Sequence, residues 1–147
     1  MAISASHIAF GRRAKKYSIP RKSISERINS FRDLRVYAEA CALDLAVFKR
    51  TQTFPKEELY SLTDQVRRSS RSIGANLAEA WAKRRYPSHF VSKLTDSDGE
   101  LQETRHWISR AVAYGYLNEE DKRTLEMQCD SIGAKLGRMI QNPDRFC

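Results

Sequence analysis

Residues 54–84 read FPKEELYSLTDQVRRSSRSIGANLAEAWAKR, and the spacing of the apolar members decides the fold. Leu59, Leu62, Val66, Ser70, Ile73, Leu77 and Trp81 recur every three or four residues, the period of one helical face. Pro55 suits a first helical turn, where its missing amide would have no partner anyway. Glu57 and Glu58 suit the positive end of the helix dipole. Gly74 interrupts the run at a cost of about 1 kcal/mol relative to alanine, so it marks a bend or a close backbone approach.

The same period recurs on both sides. Upstream, Ser30 can cap a helix with Asp33 in its first turn, and Leu34, Tyr37, Ala38, Cys41, Leu45 and Phe48 form a stripe ending near Thr51. Downstream, RRYP breaks the chain because the residue before Pro87 is pushed out of helical geometry, and Ser88 can restart a helix. Phe90, Leu94, Ser97, Leu101, Thr104, Ile108 and Ala111 then share a face, with Trp107 beside it. Gly115 is suited to the left-handed turn that closes helices. Asn118 followed by Glu119, Glu120 and Asp121 is a capped acidic start. Leu125, Cys129, Ile132, Leu136, Met139 and Ile140 complete a fourth stripe that Pro143 stops. Four long helices with short connections predict an all-α, antiparallel up-down-up-down four-helix bundle over residues 31–147.

Composition agrees. The 147 residues are 41% hydrophobic and 30% charged, and they include only six Gly and four Pro. That is too little turn punctuation for a sandwich or barrel, and no apolar run is long enough to span a bilayer. Cys41, Cys129 and Cys147 are odd in number and widely spaced, which predicts neither a disulfide framework nor a metal pair. The N-terminus lacks the apolar stretch of a signal peptide, so a cytoplasmic location is expected. The net charge of +8 is concentrated: residues 1–30 carry seven Lys and Arg against Glu26 alone. This segment, with Arg12, Arg13, Lys15 and Lys16, reads as a flexible basic arm, either a solvated tail or a phosphate-binding element.

Two helices carry a second face. In the first, Val36, Ala40, Leu43 and Val47 lie roughly 140° from the core stripe. In the second, Arg67, Arg71, Ala75, Ala78 and Ala82 run opposite the core. Extra apolar faces on a soluble helix mark interfaces, which predicts a homo-oligomer with these residues in the contact. On that reading Leu43→Glu should dissociate the assembly and leave the helices intact.

Catalytic and cofactor motifs are missing from the sequence. His7, His89 and His106 share no ligand spacing, and there is no HExxH, phosphate-binding loop or nucleophile elbow, so no metal, cofactor or enzymatic activity is expected. Glu79 and Glu103 could pair as acid and base, but interior carboxylates in a bundle more often hold register against arginines, here Arg67, Arg68 or Arg71. For nucleic acid, Lys83, Arg84 and Arg85 at the end of the second helix are the leading phosphate contacts, with Tyr86 to stack and with Arg68 and the arm in support.

FRDLRVYAEA, the 54–84 string, GELQETRHWI and GYL together resemble the bacterial four-helix bundle proteins encoded in intervening sequences of large-subunit ribosomal RNA genes. The resemblance covers residues 31–140, and LTDQVRRSSRSIGANLAEA is its most specific part. It falls on Phe31, Leu34, Phe54, Pro55, Glu58 and Leu62, then on Gln65, Arg67, Arg68, Ser69, Ser72 and Ile73, and last on Asn76, Ala78, Glu79, Gly99 and Glu103. Gln65 and Asn76 thereby join Glu79 and Glu103 as structural polar positions. Ala80 stands in place of the usual glycine, which lets the second helix run on through Trp81, and Gly74 stands where many members have proline. The resemblance implies a bundle assembling as a ring-like homopentamer, with no established activity. The family is also similar to accessory proteins of diversity-generating retroelements, which implies RNA, DNA or a reverse transcriptase-like protein as partner. The alternative is an adaptor that binds protein alone.

Overall fold

A computed structural model describes residues 28–147 of the chain. Four helices, α1 (Arg35–Thr51), α2 (Leu62–Ala82), α3 (Pro87–Ala113) and α4 (Glu119–Gln141), run alternately up and down, and no strand is present among the described residues. α1 packs on α2 and α4, and α3 packs on the same two, which makes a square antiparallel bundle.

Local chemistry sets the helix ends. Asn118 Oδ1 accepts from the Asp121 amide at 2.7 Å and caps α4. Gly115 takes φ 80° in the turn before it, a conformation that costs other residues but not glycine. Pro87 opens α3 at a position needing no amide donor, one residue before the expected Ser88.

Two starts differ from expectation. Ser30 does cap, together with Asp33, but the element it caps is a single 3-10 turn (Phe31–Asp33), and α1 begins at Arg35. Pro55 precedes a second 3-10 turn (Lys56–Glu58), and α2 begins only at Leu62. The break changes the helical phase, so Leu59, expected in the core, is exposed. Glu58 caps α2 from outside. Its carboxylate accepts from Ser61 Oγ at 2.6 Å, from the Leu62 amide at 3.1 Å and from Tyr116 Oη at 3.1 Å.

The Ser61 hydroxyl first, then the Leu62 amide, hold the Glu58 carboxyl below its ordinary value of 4.5. A carboxyl depressed in the folded state stabilises above its unfolded value, and the effect is lost as pH falls through the folded value. Glu58→Ala should therefore lower Tm at neutral pH, with the difference from the wild type shrinking as pH drops below 4.5. Thermal melts across that range check this.

The core is built from one stripe per helix. α3 buries all seven expected positions, Phe90 through Ala111, and α4 buries Leu125, Cys129, Ile132, Leu136 and Met139. α2 contributes Leu62, Val66, Ser70, Ile73, Leu77 and Trp81, and it continues past the fully buried Ala80 to Ala82. The helix is uninterrupted at Gly74. The glycine faces the Tyr37 ring, which would lie 3.6 Å from an added Cβ, so the close approach is to a side chain of α1.

The α2–α3 seam is polar but satisfied. Ser97 Oγ donates to the Ile73 carbonyl at 2.9 Å, and Thr104 Oγ1 lies 2.9 Å from Ser69 Oγ, so these hydroxyls are satisfied where the two helices meet, whereas the buried Thr63 Oγ1 of α2 has no partner among the described residues.

In α1 the expected faces are exchanged. Val36, Ala40, Leu43 and Val47 are buried within the chain, together with Thr51, and Leu43 has no exposed surface. They belong to the bundle core and cannot form a contact between copies. Ala38, Cys41, Leu45 and Phe48, read from sequence as core, face outward. Two ion pairs accompany this orientation. With the Val36 stripe inward, Glu39 meets Lys135 at 2.8 Å and Arg50 meets Asp121 at 3.0 Å, both across to α4. Partly exposed pairs of this kind add little stability each but specify register.

Candidate nucleic-acid and assembly surfaces

Up-down topology gathers the start of α1, the end of α2, the start of α3 and the end of α4 at one end of the bundle. Phe146 reaches across that end to the Phe90 ring, with centroids 6.0 Å apart. Arg32, Arg35, Lys83, Arg84, Arg85, Arg138 and Arg145 belong there against Asp33 and Asp144, and the described chain starts there at Ile28, so residues 1–27 precede the bundle at its more basic end. The opposite end is mixed. Glu57, Glu58, Glu119, Glu120 and Asp121 stand among Lys49, Arg50, Lys56, Lys122 and Arg123.

The predicted phosphate contacts divide on inspection. Lys83 and Arg85 are exposed and have no ion pair among the described residues. Tyr86 is 57% exposed, with the His89 ring beside it at 5.5 Å and tilted by 47°. Arg84 is different: its guanidinium lies 4.1 Å from the Trp81 ring centre and donates to the Trp81 carbonyl at 2.8 Å, so it serves as a helix end-cap. Arg68 lies fifteen residues before Lys83, about 22 Å along the helix. There it opposes Glu100, whose carboxyl is pushed up by burial and then by Glu103, and lowered by Arg68. It is not part of the basic end. Arg12, Arg13, Lys15 and Lys16 lie outside the described residues.

The second surface is the outward side of α1 and α2. Leu45 is 50% exposed and Phe48 36%, with Ala38 and Cys41 exposed on the same side. On α2, Arg71, Ala75 and Ala82 are exposed and Ala78 is half-buried, as expected of a surface stripe. Arg67 is instead committed within the chain, donating to Thr51 Oγ1 at 2.8 Å with its guanidinium 5.0 Å from the Phe48 ring centre. Arg71 lies close enough to half-buried Asp44 to offset the burial that raises the latter's pKa.

Glu79 and Glu103 are both exposed, and neither pairs with an arginine as expected. Glu79 meets Lys93 of α3 at 2.7 Å, and Glu103 accepts from Trp107 Nε1 at 3.1 Å. Lys93 marks where α3 passes Glu79, and Glu103 is ten residues further on, about 15 Å away. The two carboxylates are therefore not an acid–base pair. Lys93 carries no sequence signal, because its role depends on which helix lies beside α2. Gln65 and Asn76 are half-buried, Asn76 donating to the Ser72 carbonyl at 3.0 Å. Cys129 sits in the core, where burial pushes its thiol up to about 12 and leaves it unreactive at neutral pH. No group of three or more metal-ligating side chains occurs among the described residues, and no described helix is long and apolar enough to cross a membrane.

A structural relative is known. The crystal structure of a protein of unknown function from the S23 ribosomal protein family of Bacteroides thetaiotaomicron superposes with a TM-score of 0.65. The match covers 72% of this chain and 95% of that one at 21% identity, a likeness of fold. No curated protein matches. The sequence pattern of the family described as "23S rRNA-intervening sequence protein" runs from residue 32 to residue 138 of this chain, from the α1 capping turn to the last turn of α4, and the chain belongs to that family.

Proposed function

We propose that the protein is a non-enzymatic, self-assembling bundle that binds RNA or DNA through its basic end and works in the cytoplasm. The observation that carries this reading is the sorting of charge along the bundle axis. One end combines the root of the basic N-terminal segment with exposed Lys83, Arg85 and Tyr86. Basic side chains with a stackable aromatic are the usual equipment for binding phosphate backbones without sequence preference.

Self-assembly rests on the outward face of α1, with Ala38, Cys41, Leu45 and Phe48 beside the small residues of α2. Five copies are the number the family resemblance implies. A ring would repeat the basic end in every subunit and raise avidity with no new contact. The same apolar face also fits a reverse transcriptase-like or other protein partner, which is the adaptor reading.

Salt dependence separates the two. Binding of a generic single-stranded RNA, followed by fluorescence anisotropy, should weaken steeply with salt, since each neutralised phosphate adds about 0.7 to the log–log slope. Lys83→Ala with Arg85→Ala, or deletion of residues 1–27, should flatten the slope and leave the melting curve unchanged. Affinity and slope identical to the wild type in both variants would reject the nucleic-acid reading and leave the adaptor.

A further inference from the structure

Between the start of α1, the end of α4 and the C-terminal 3-10 turn (Pro143–Arg145) lies a cavity of about 510 Å3, within the roughly 300–1,000 Å3 range of small-ligand sites. Its apolar wall includes Leu34, Met139 and Phe146, and Arg35, Arg138, Arg145 and Lys135 bring four cations to it. Lys135 is already paired with Glu39. Among the described residues the carboxylate in the lining is Asp33, whose Oδ2 accepts from the amides of Asn29 and Ser30 at 2.9 and 3.0 Å. That leaves three guanidiniums, those of Arg35, Arg138 and Arg145, with no carboxylate partner among the described residues. The amides of Arg35 and Val36 at the uncapped start of α1 also find no acceptor there.

The geometry points to this cavity as a binding site for a phosphate monoester of nucleotide size. Three guanidiniums, of which that of Arg138 already gives its Nε–H to the Ala134 carbonyl, and two amides still offer more donors than the two oxygens of a carboxylate can accept, whereas the three terminal oxygens and double charge of a phosphate monoester match them. Inorganic phosphate alone would leave most of the space empty. The half-buried Phe146 ring gives a flat, polarisable wall for a heterocycle, with the largely buried Met139 nearby in the lining. The basic segment before residue 28 is a poor occupant, because its seven cations would meet a rim of the same sign. The proposal stands on the cavity and does not depend on the basic end binding a strand.

Calorimetric titration of the full chain with AMP tests it. Saturable binding of one AMP per chain is expected, with adenosine and inorganic phosphate each at least tenfold weaker. Arg138→Ala with Arg145→Ala, both at exposed positions, should weaken AMP at least tenfold without altering the melting curve. Lys83→Ala with Arg85→Ala should leave AMP binding as it is, so failure at the cavity can be told from failure of the nucleic-acid reading. A preference for an RNA with a 5′ phosphate over the same RNA with a 5′ hydroxyl would assign the site to a strand end, and no preference would assign it to a free nucleotide. No saturation by about 1 mM AMP, or equal affinity in the Arg138/Arg145 variant, would overturn the proposal.

Discussion

A chain carrying both Leu45→Glu and Phe48→Glu should run as a monomer of 17.0 kDa in light scattering and keep the circular dichroism of four intact helices. Leu45 and Phe48 lie one turn apart on the exposed side of α1, and neither belongs to the buried core. Within the isolated chain the change replaces half-exposed apolar surface with solvated carboxylate, which costs little. Within an assembly each side chain, already half or more buried in the single chain, would bring about 0.5–1.5 kcal/mol of further apolar burial, and each carboxylate would need a partner that an apolar contact does not provide. In a closed ring every interface carries the change, so the loss recurs around the assembly. A wild-type chain that is already monomeric at micromolar concentration, or a double variant of unchanged mass, would rule out this face as the assembly contact.

Leu43→Glu should do the opposite of what the sequence suggests and abolish the helical signal, with no folded monomer to recover. Leu43 is fully buried among the stripes of the other helices, and a carboxylate there would have to ionise without a partner or stay protonated at a large cost. Leu43→Ala is the milder form. It should destabilise by about 2–5 kcal/mol in urea, a large part of the roughly 5–15 kcal/mol that holds an ordinary domain together. Were Leu43→Glu to stay folded and merely dissociate, the two faces of α1 would have to be exchanged again.

α3 is fully legible in the sequence, because it carries a single apolar stripe and the period leaves no choice. α1 carries two stripes of equal period, so periodicity establishes the helix but not its orientation. The Val36 stripe faces inward together with the ion pairs of Glu39 and Arg50 to α4, and those require knowing that α4 lies alongside. Periodicity misplaces Leu59 because it extends a stripe across a helix start that Glu58 and Ser61 define. Of the arginines of its own helix expected to pair with Glu79, Arg67 and Arg71 lie roughly 120° and 80° around from it and Arg68, on the same side, lies about 16 Å away along the axis, while its actual partner comes from α3. The cavity is invisible in the sequence because Arg35 and Arg145 are adjacent only after the bundle closes. Of the basic surface, Lys83 and Arg85 can be read directly, since the break at Pro87 predicts their exposure. Arg84 cannot, because its folding back onto Trp81 is a tertiary detail.

The order of helices around the square has a kinetic consequence. α2 and α3 meet through a turn of four residues, Lys83 to Tyr86, so their hairpin can form with little loop-closure entropy. The contact of α1 with α4 is joined by residues 71 and 92 positions apart, Arg50 with Asp121 and Glu39 with Ser131. With the longest chain between its partners, it is the side expected to close last. Because the proposed cavity lies on that side, between α1 and α4, a ligand seated there would act as a latch on the last-closing edge of the bundle.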